Sequence, residues 1–125
     1  MDTQGVKILL VDDDPFVREM IGMILESDGY DVIASENGSD AFEKLSACGD
    51  VSLVISDINM PGMNGYELID KIRSAGLVMP VLALSGIDDS YVADGAIIKG
   101  AVDYVVKDDN IEVNILSAVK SALKK

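Results

Sequence analysis

Two short apolar runs in this chain each stop on a carboxylate: Ile8-Leu9-Leu10-Val11 meets Asp12-Asp13-Asp14-Pro15, and Leu53-Val54-Ile55 passes through Ser56 to Asp57. A strand with one wet face alternates apolar and polar residues, whereas an unbroken run marks a strand covered on both faces. The chain is thereby restricted to folds that sandwich a sheet between layers, and Asp57 falls where the central strand leaves the core. The loop that follows, from Ile58 through Met60-Pro61-Gly62 to Asn64-Gly65, is rich in turn-forming residues.

The other segments alternate in the same way. Strands are expected over residues 6–11, 31–34, 53–57, 81–85 and 103–106, and helices over 15–27, 38–47, 65–74, 90–99 and 111–123. Asp14 is a natural N-cap, and Pro15 suits the first helical position, where its missing N–H has no partner to lose. Phe16, Met20 and Ile24 with Val17, Ile21 and Leu25 form a wide apolar stripe assigned to sheet packing, with Met23 and the stripe's edge open to a docking partner. Ala41, Phe42 and Leu45 face inward from the second helix. Asp88-Asp89-Ser90 can cap the fourth helix, but Gly95 inside it costs about 1 kcal/mol against Ala, so this helix should be the least stable. Right-handed crossovers turn the alternation into an α/β doubly wound parallel sheet of five strands flanked by five helices. The expected order is 2-1-3-4-5, with a ligand site beyond the carboxyl ends of strands one and three, where the order reverses. With no repeat or linker, residues 1–125 read as one domain.

That topology brings Asp12, Asp13 and Asp57 together. Carboxylates so close repel and raise one another's pKa, which implies a compensating cation. An all-oxygen donor set suits a hard ion, Mg²⁺ first, Mn²⁺ or Ca²⁺ after it.

Composition narrows the partners. A net charge of −12 argues against direct nucleic-acid binding, which needs clustered Lys and Arg, so partners should be proteins. The apolar runs are too short for membrane insertion and no signal-peptide pattern opens the chain, so a cytoplasmic protein is expected. The single Cys48, near a helix end, reads as a packing residue. The chain has no His, which removes His-based catalysis.

Asp12-Asp13, Asp57 with Met60-Pro61 and Gly65, Ser85 after Val81-Leu82-Ala83-Leu84, and Tyr104 with Lys107 together resemble a response-regulator receiver domain, the phosphoacceptor family of two-component signalling. The likeness covers nearly the whole chain and resembles chemotaxis regulators, of flavodoxin-like fold. It implies that Asp57 accepts a phosphoryl group, that Asp13 holds Mg²⁺ directly, Asp12 through water or as a second ligand, and that the Asn59 backbone carbonyl completes the set. It further implies that Lys107 and Ser85 contact phosphoryl oxygens, and that Ser85 and Tyr104 move together as a switch. A histidine kinase or histidine phosphotransfer protein would supply the phosphoryl group, and a downstream protein target would read the altered surface. Read singly, Asp57 is an ordinary strand-terminal turn residue, Asp12 to Asp14 a solvated helix start, and Tyr104 a half-buried aromatic.

One position departs from the family pattern: Lys107 precedes Asp108, where the family carries proline after a cis bond. A trans loop is expected, since cis before a non-proline residue costs about 2.5–4 kcal/mol. Asp108-Asp109 are expected to compete for the Lys107 ammonium and weaken its hold on phosphate. Asn59 and Ile87 flank the water's approach in the family, and apolar Ile87 should slow hydrolysis of the phosphorylated form. The chain ends just after the last expected helix, which fits a stand-alone receiver or one cut from a hybrid kinase or an output-domain regulator. A phosphorylation-independent interaction module is a further alternative. A flavin-binding module would be repelled by Asp12 to Asp14, and a haloacid-dehalogenase-type phosphatase needs an aspartate spacing that this chain lacks.

Overall fold

In the computed structural model, which describes residues 5–60, 64–87 and 90–124, strands and helices alternate as the apolar runs require. The elements are β1 (Lys7–Val11), α1 (Pro15–Ser27), β2 (Asp31–Ser35), α2 (Gly38–Cys48), β3 (Leu53–Asp57), α3 (Gly65–Ser74), β4 (Val81–Ser85), α4 (Ser90–Lys99), β5 (Asp103–Val106) and α5 (Ile111–Leu123). The sheet is parallel in the order β2-β1-β3-β4-β5. The chain folds as the flavodoxin-like α/β architecture with its switch point between β1 and β3.

The unbroken runs feed two cores. Ile8, Leu10, Leu53, Ile55, Leu82 and Leu84 pack with Ile21 and Leu25 of α1 and Ile111, Ile115 and Val119 of α5. Their neighbours along the strands, Leu9, Val11, Val54, Val81 and Ala83, pack against α2, α3 and α4 through Ala41, Leu45, Leu68, Ile69, Ile72 and Ala96. Every residue of β3 and β4 is buried, as two covered faces demand.

Helix starts follow the capping chemistry in the sequence. Asp14 accepts from the Phe16 and Val17 amides, Asn37 accepts from Asp40, and Asn64 with Glu67 closes a capping box. The residues expected to cap α4 include Asp88 and Asp89, which lie outside the described residues, as does the stretch 61–63.

Three local readings change. Phe16 is 75% exposed and does not join the sheet-packing stripe. At about 100° per residue it points some 180° away from buried Leu25, so the stripe is narrower than its six apolar residues suggest. Cys48 is exposed, because the last turn of α2 runs past the core and Gly49 caps it in the left-handed conformation. Ser35 belongs to β2 and is buried, its hydroxyl 2.7 Å from Asp40 Oδ2, so a polar residue here extends the strand. Gly95 has a packing reason: a Cβ there would lie 2.5 Å from the Tyr66 hydroxyl, which donates to the Val92 carbonyl at 2.7 Å.

Candidate functional site

Register builds the site. The last β1–β3 pair is Val11↔Ser56, so Asp12 and Asp57 stand one step further, side by side at the strands' carboxyl ends. Ser85 pairs with Val106 across β4 and β5, and Lys107 follows, its amide donating to the Ser85 carbonyl at 2.8 Å. Four chemically active residues thus issue from adjacent strand ends.

Asp12, Asp13 and Asp57 each offer a carboxylate oxygen, all within 4.8 Å of one another. Asp12 and Asp57 are buried and Asp13 is exposed. Three negative groups at this spacing, with oxygen donors alone, fit a hard divalent cation approached from solvent past Asp13.

Lys107 reaches into the cluster, with Nζ 3.0 Å from Asp12 Oδ2 and 3.0 Å from Asp57 Oδ2. Asp12 Oδ2 receives no well-aligned hydrogen bond, so its attraction to Lys107 rests on charge rather than on a directed bond. Burial alone would lower the Lys107 pKa, yet closeness to Asp12 and the charges of Asp57 and Asp12 outweigh it and hold the ammonium above its ordinary range. Asp57 moves the other way from a typical paired carboxylate. Its burial raises its pKa, Lys107 opposes the rise, and Asp12 adds to it. The two shifts are compatible, because one cation faces two acids and cannot satisfy both. The Asn59 amide also donates to the Asp57 carboxylate.

The expected contest for Lys107 does not occur. Asp108 turns away, accepting the Asn110 amide at 2.9 Å, and Lys107 is held by Asp12 and Asp57. No cis peptide bond occurs among the described residues, so the Lys107–Asp108 bond is trans as expected.

The Ser85 hydroxyl is buried and has no hydrogen-bond partner among the described residues. Such an atom forgoes about 1–3 kcal/mol, a loss that an incoming oxygen would relieve. Tyr104 is half-buried beside β4, and Ile87 is 69% exposed. Gly65 keeps the loop after β3 tight: a Cβ there would fall 2.6 Å from the Asp57 carbonyl oxygen and 2.7 Å from Ile58 Cα.

Sequence reasoning missed Arg18, whose guanidinium donates to the Asp12 carbonyl at 2.7 Å. Its only sequence signal is a lone cation one helical turn after the Asp14 cap.

A family model described as the response regulator receiver domain matches residues 8–120. A cyclic di-GMP phosphodiesterase of Thermotoga maritima is 37% identical over 106 residues, covering 85% of this chain and 28% of that protein. The virulence-factor transcription regulator BvgA of Bordetella pertussis is 32% identical over 118 residues, covering 94% of this chain and 56% of that protein. The chain therefore spans little more than half the length of these curated relatives, or less. Among solved structures, the chemotaxis protein CheY4 of Vibrio cholerae superposes with a TM-score of 0.86 at 28% identity, covering 94% of this chain and 98% of that one. The signal receiver domain of a histidine kinase from Syntrophus aciditrophicus gives 0.83 at 33% identity, covering 95% and 90%.

Proposed function

The chain belongs to the response regulator receiver domain family, and on that premise we propose that Asp57 is its phosphoacceptor. The observation that carries this reading is the buried Asp57 carboxylate paired with Lys107 inside the acidic cluster, with the unpartnered Ser85 hydroxyl at the end of the neighbouring strand.

An Asp57 carboxylate oxygen attacks the phosphorus of a phosphohistidine on a histidine kinase or phosphotransfer protein. The P–O bond forms as the P–N bond breaks, and the electron pair leaves with the donor imidazole, which takes up a proton. Asp13, Asp12, Asp57 and the Asn59 carbonyl would hold Mg²⁺, or Mn²⁺ in its place, which when bound would supply charge neutralisation and alignment of the phosphoryl oxygens. Lys107 pairs with one phosphoryl oxygen, and Ser85 donates its hydroxyl to another. Water later attacks the phosphorus of the acyl phosphate: its oxygen bonds to phosphorus as the P–O bond to Asp57 breaks, freeing the carboxylate and inorganic phosphate, and exposed Ile87, two residues beyond Ser85, offers no group to orient that water. The chain assists its own phosphorylation and dephosphorylation and is not an enzyme acting on external substrates. Ser85 and Tyr104 carry the change to a surface that a downstream protein reads. No described helix is long and apolar enough to cross a membrane, and we place the chain in the cytoplasm.

The test is intact mass after incubation with Mg²⁺ and acetyl phosphate. One added phosphoryl group that requires the metal and is absent in Asp57→Asn supports the reading. Equal labelling with EDTA, or labelling retained in Asp57→Asn, contradicts it.

A further inference from the structure

Within the acidic cluster, Asp13 stands apart. Asp12 is fixed three times over: its amide donates to the Ser35 carbonyl at 3.1 Å, its Oδ1 accepts the Asp14 amide at 2.9 Å, and its Oδ2 faces Lys107. Asp57 is held by Lys107 and by the Asn59 amide. The Asp13 carboxylate is exposed, and no hydrogen bond or ion pair engages it among the described residues. What the fold fixes of Asp13 is therefore its backbone, from which the Cα–Cβ bond departs.

That backbone is gripped by Arg18. From the second turn of α1, Arg18 Nη1 donates to the Asp12 carbonyl oxygen at 2.7 Å, the short length of a charge-assisted bond. The Asp12 carbonyl belongs to the peptide that joins Asp12 to Asp13, so fixing it fixes the plane from which Asp13 departs. Arg18 is itself anchored, because its amide donates to the Asp14 carbonyl at 2.9 Å at the capped start of α1. The helix start, the guanidinium and the Asp12–Asp13 peptide form one closed unit. We propose that Arg18 is a positioning residue for the cation site, holding Asp13 in ligating geometry through the Asp12 carbonyl while touching neither ion nor substrate. This rests on the reading that Asp12, Asp13 and Asp57 hold Mg²⁺.

Charge and positioning predict opposite outcomes. A guanidinium near a divalent ion repels it, so by charge alone the loss of Arg18 tightens binding. If positioning dominates, the loss weakens binding, by on the order of tenfold as for other groups that orient a ligand.

The experiment is calorimetric titration of the full, unphosphorylated chain with MgCl₂, for wild type, Arg18→Met and Arg18→Lys, with urea unfolding in EDTA to confirm that each is folded. The expected result is Mg²⁺ binding weakened about tenfold in Arg18→Met and largely recovered in Arg18→Lys, which keeps a charged donor. With acetyl phosphate, the Mg²⁺ concentration for half-maximal labelling should rise in Arg18→Met while the rate at saturating Mg²⁺ holds. Unchanged or tighter binding in Arg18→Met overturns the proposal and leaves the phosphoacceptor reading standing. Absence of Mg²⁺ binding by wild type removes the cation site itself, and the role of Arg18 falls with it. Should Arg18→Met not fold, Arg18→Lys and Arg18→Gln are titrated instead, and equal affinity in all three proteins overturns the proposal.

Discussion

Replacing Lys107 with Met keeps the apolar stem and removes the charge that two buried acids share. At an effective dielectric near 20, opposite charges 3.0 Å apart attract by about 5 kcal/mol. Desolvation offsets much of that in the intact pair, but removing one partner from a buried pair leaves the other charge uncompensated, and the loss is about 3–5 kcal/mol. The Lys107 side chain is 22% exposed, so water reaches the site and the low end, about 3 kcal/mol, is expected. That is a large share of the roughly 5–15 kcal/mol that holds a domain of this size. Mg²⁺ should then reverse the loss, because it supplies charge to the same acids and no longer meets a competing ammonium. Binding at a hundred times Kd stabilises wild type by about 2.7 kcal/mol, and the variant should gain more than wild type does. Urea unfolding in EDTA and in saturating MgCl₂ gives all four stabilities. A deficit in EDTA below about 1 kcal/mol, the level of an exposed pair, refutes the reasoning, as does a deficit that Mg²⁺ leaves unchanged.

The raised pKa of Asp57 means that the folded state holds its proton more tightly than the unfolded chain does, so stability falls as pH rises from the ordinary carboxylate value through the raised folded one. Asp57→Asn should flatten that fall and be more stable than wild type at neutral pH in EDTA; urea midpoints across pH would show a loss if this is wrong. Gly95→Ala should destabilise by about 1–2 kcal/mol despite better helix propensity, since its Cβ meets Tyr66, and should become neutral or stabilising in Tyr66→Ala. Thermal unfolding of the two pairs decides this, and stabilisation of the wild-type background would refute it. Ile87→Glu should shorten the half-life of the phosphorylated form, read by loss of the added mass; an unchanged or longer half-life counts against the water-access argument.

The sheet was legible because each strand is a compact run with its own polarity signal, and the order of such runs constrains topology strongly. The acidic site was legible because Asp12 and Asp57 end two of those runs. Contacts between distant segments were not. Tyr66 and Gly95 explain each other only when α3 lies against α4, and alone Gly95 reads as a weak point in a helix. Arg18 makes its bond to a main-chain carbonyl, which leaves no complementary residue to find in the sequence. Asp108 reads as a competitor for Lys107 by adjacency, yet the loop turns its carboxylate to the Asn110 amide. Apolar spacing places Phe16 on the inward stripe, but spacing alone does not set how wide a helix's buried face is, and Phe16 lies outside it.

The most direct test is to locate the phosphoryl group itself. After labelling with acetyl phosphate and Mg²⁺, borohydride reduction converts an aspartyl phosphate to homoserine, and peptide mass spectrometry reads its position. Homoserine at position 57 alone is the predicted result. Homoserine at position 12 or 13, or its absence from a protein that has gained the phosphoryl mass, would contradict Asp57 as the acceptor.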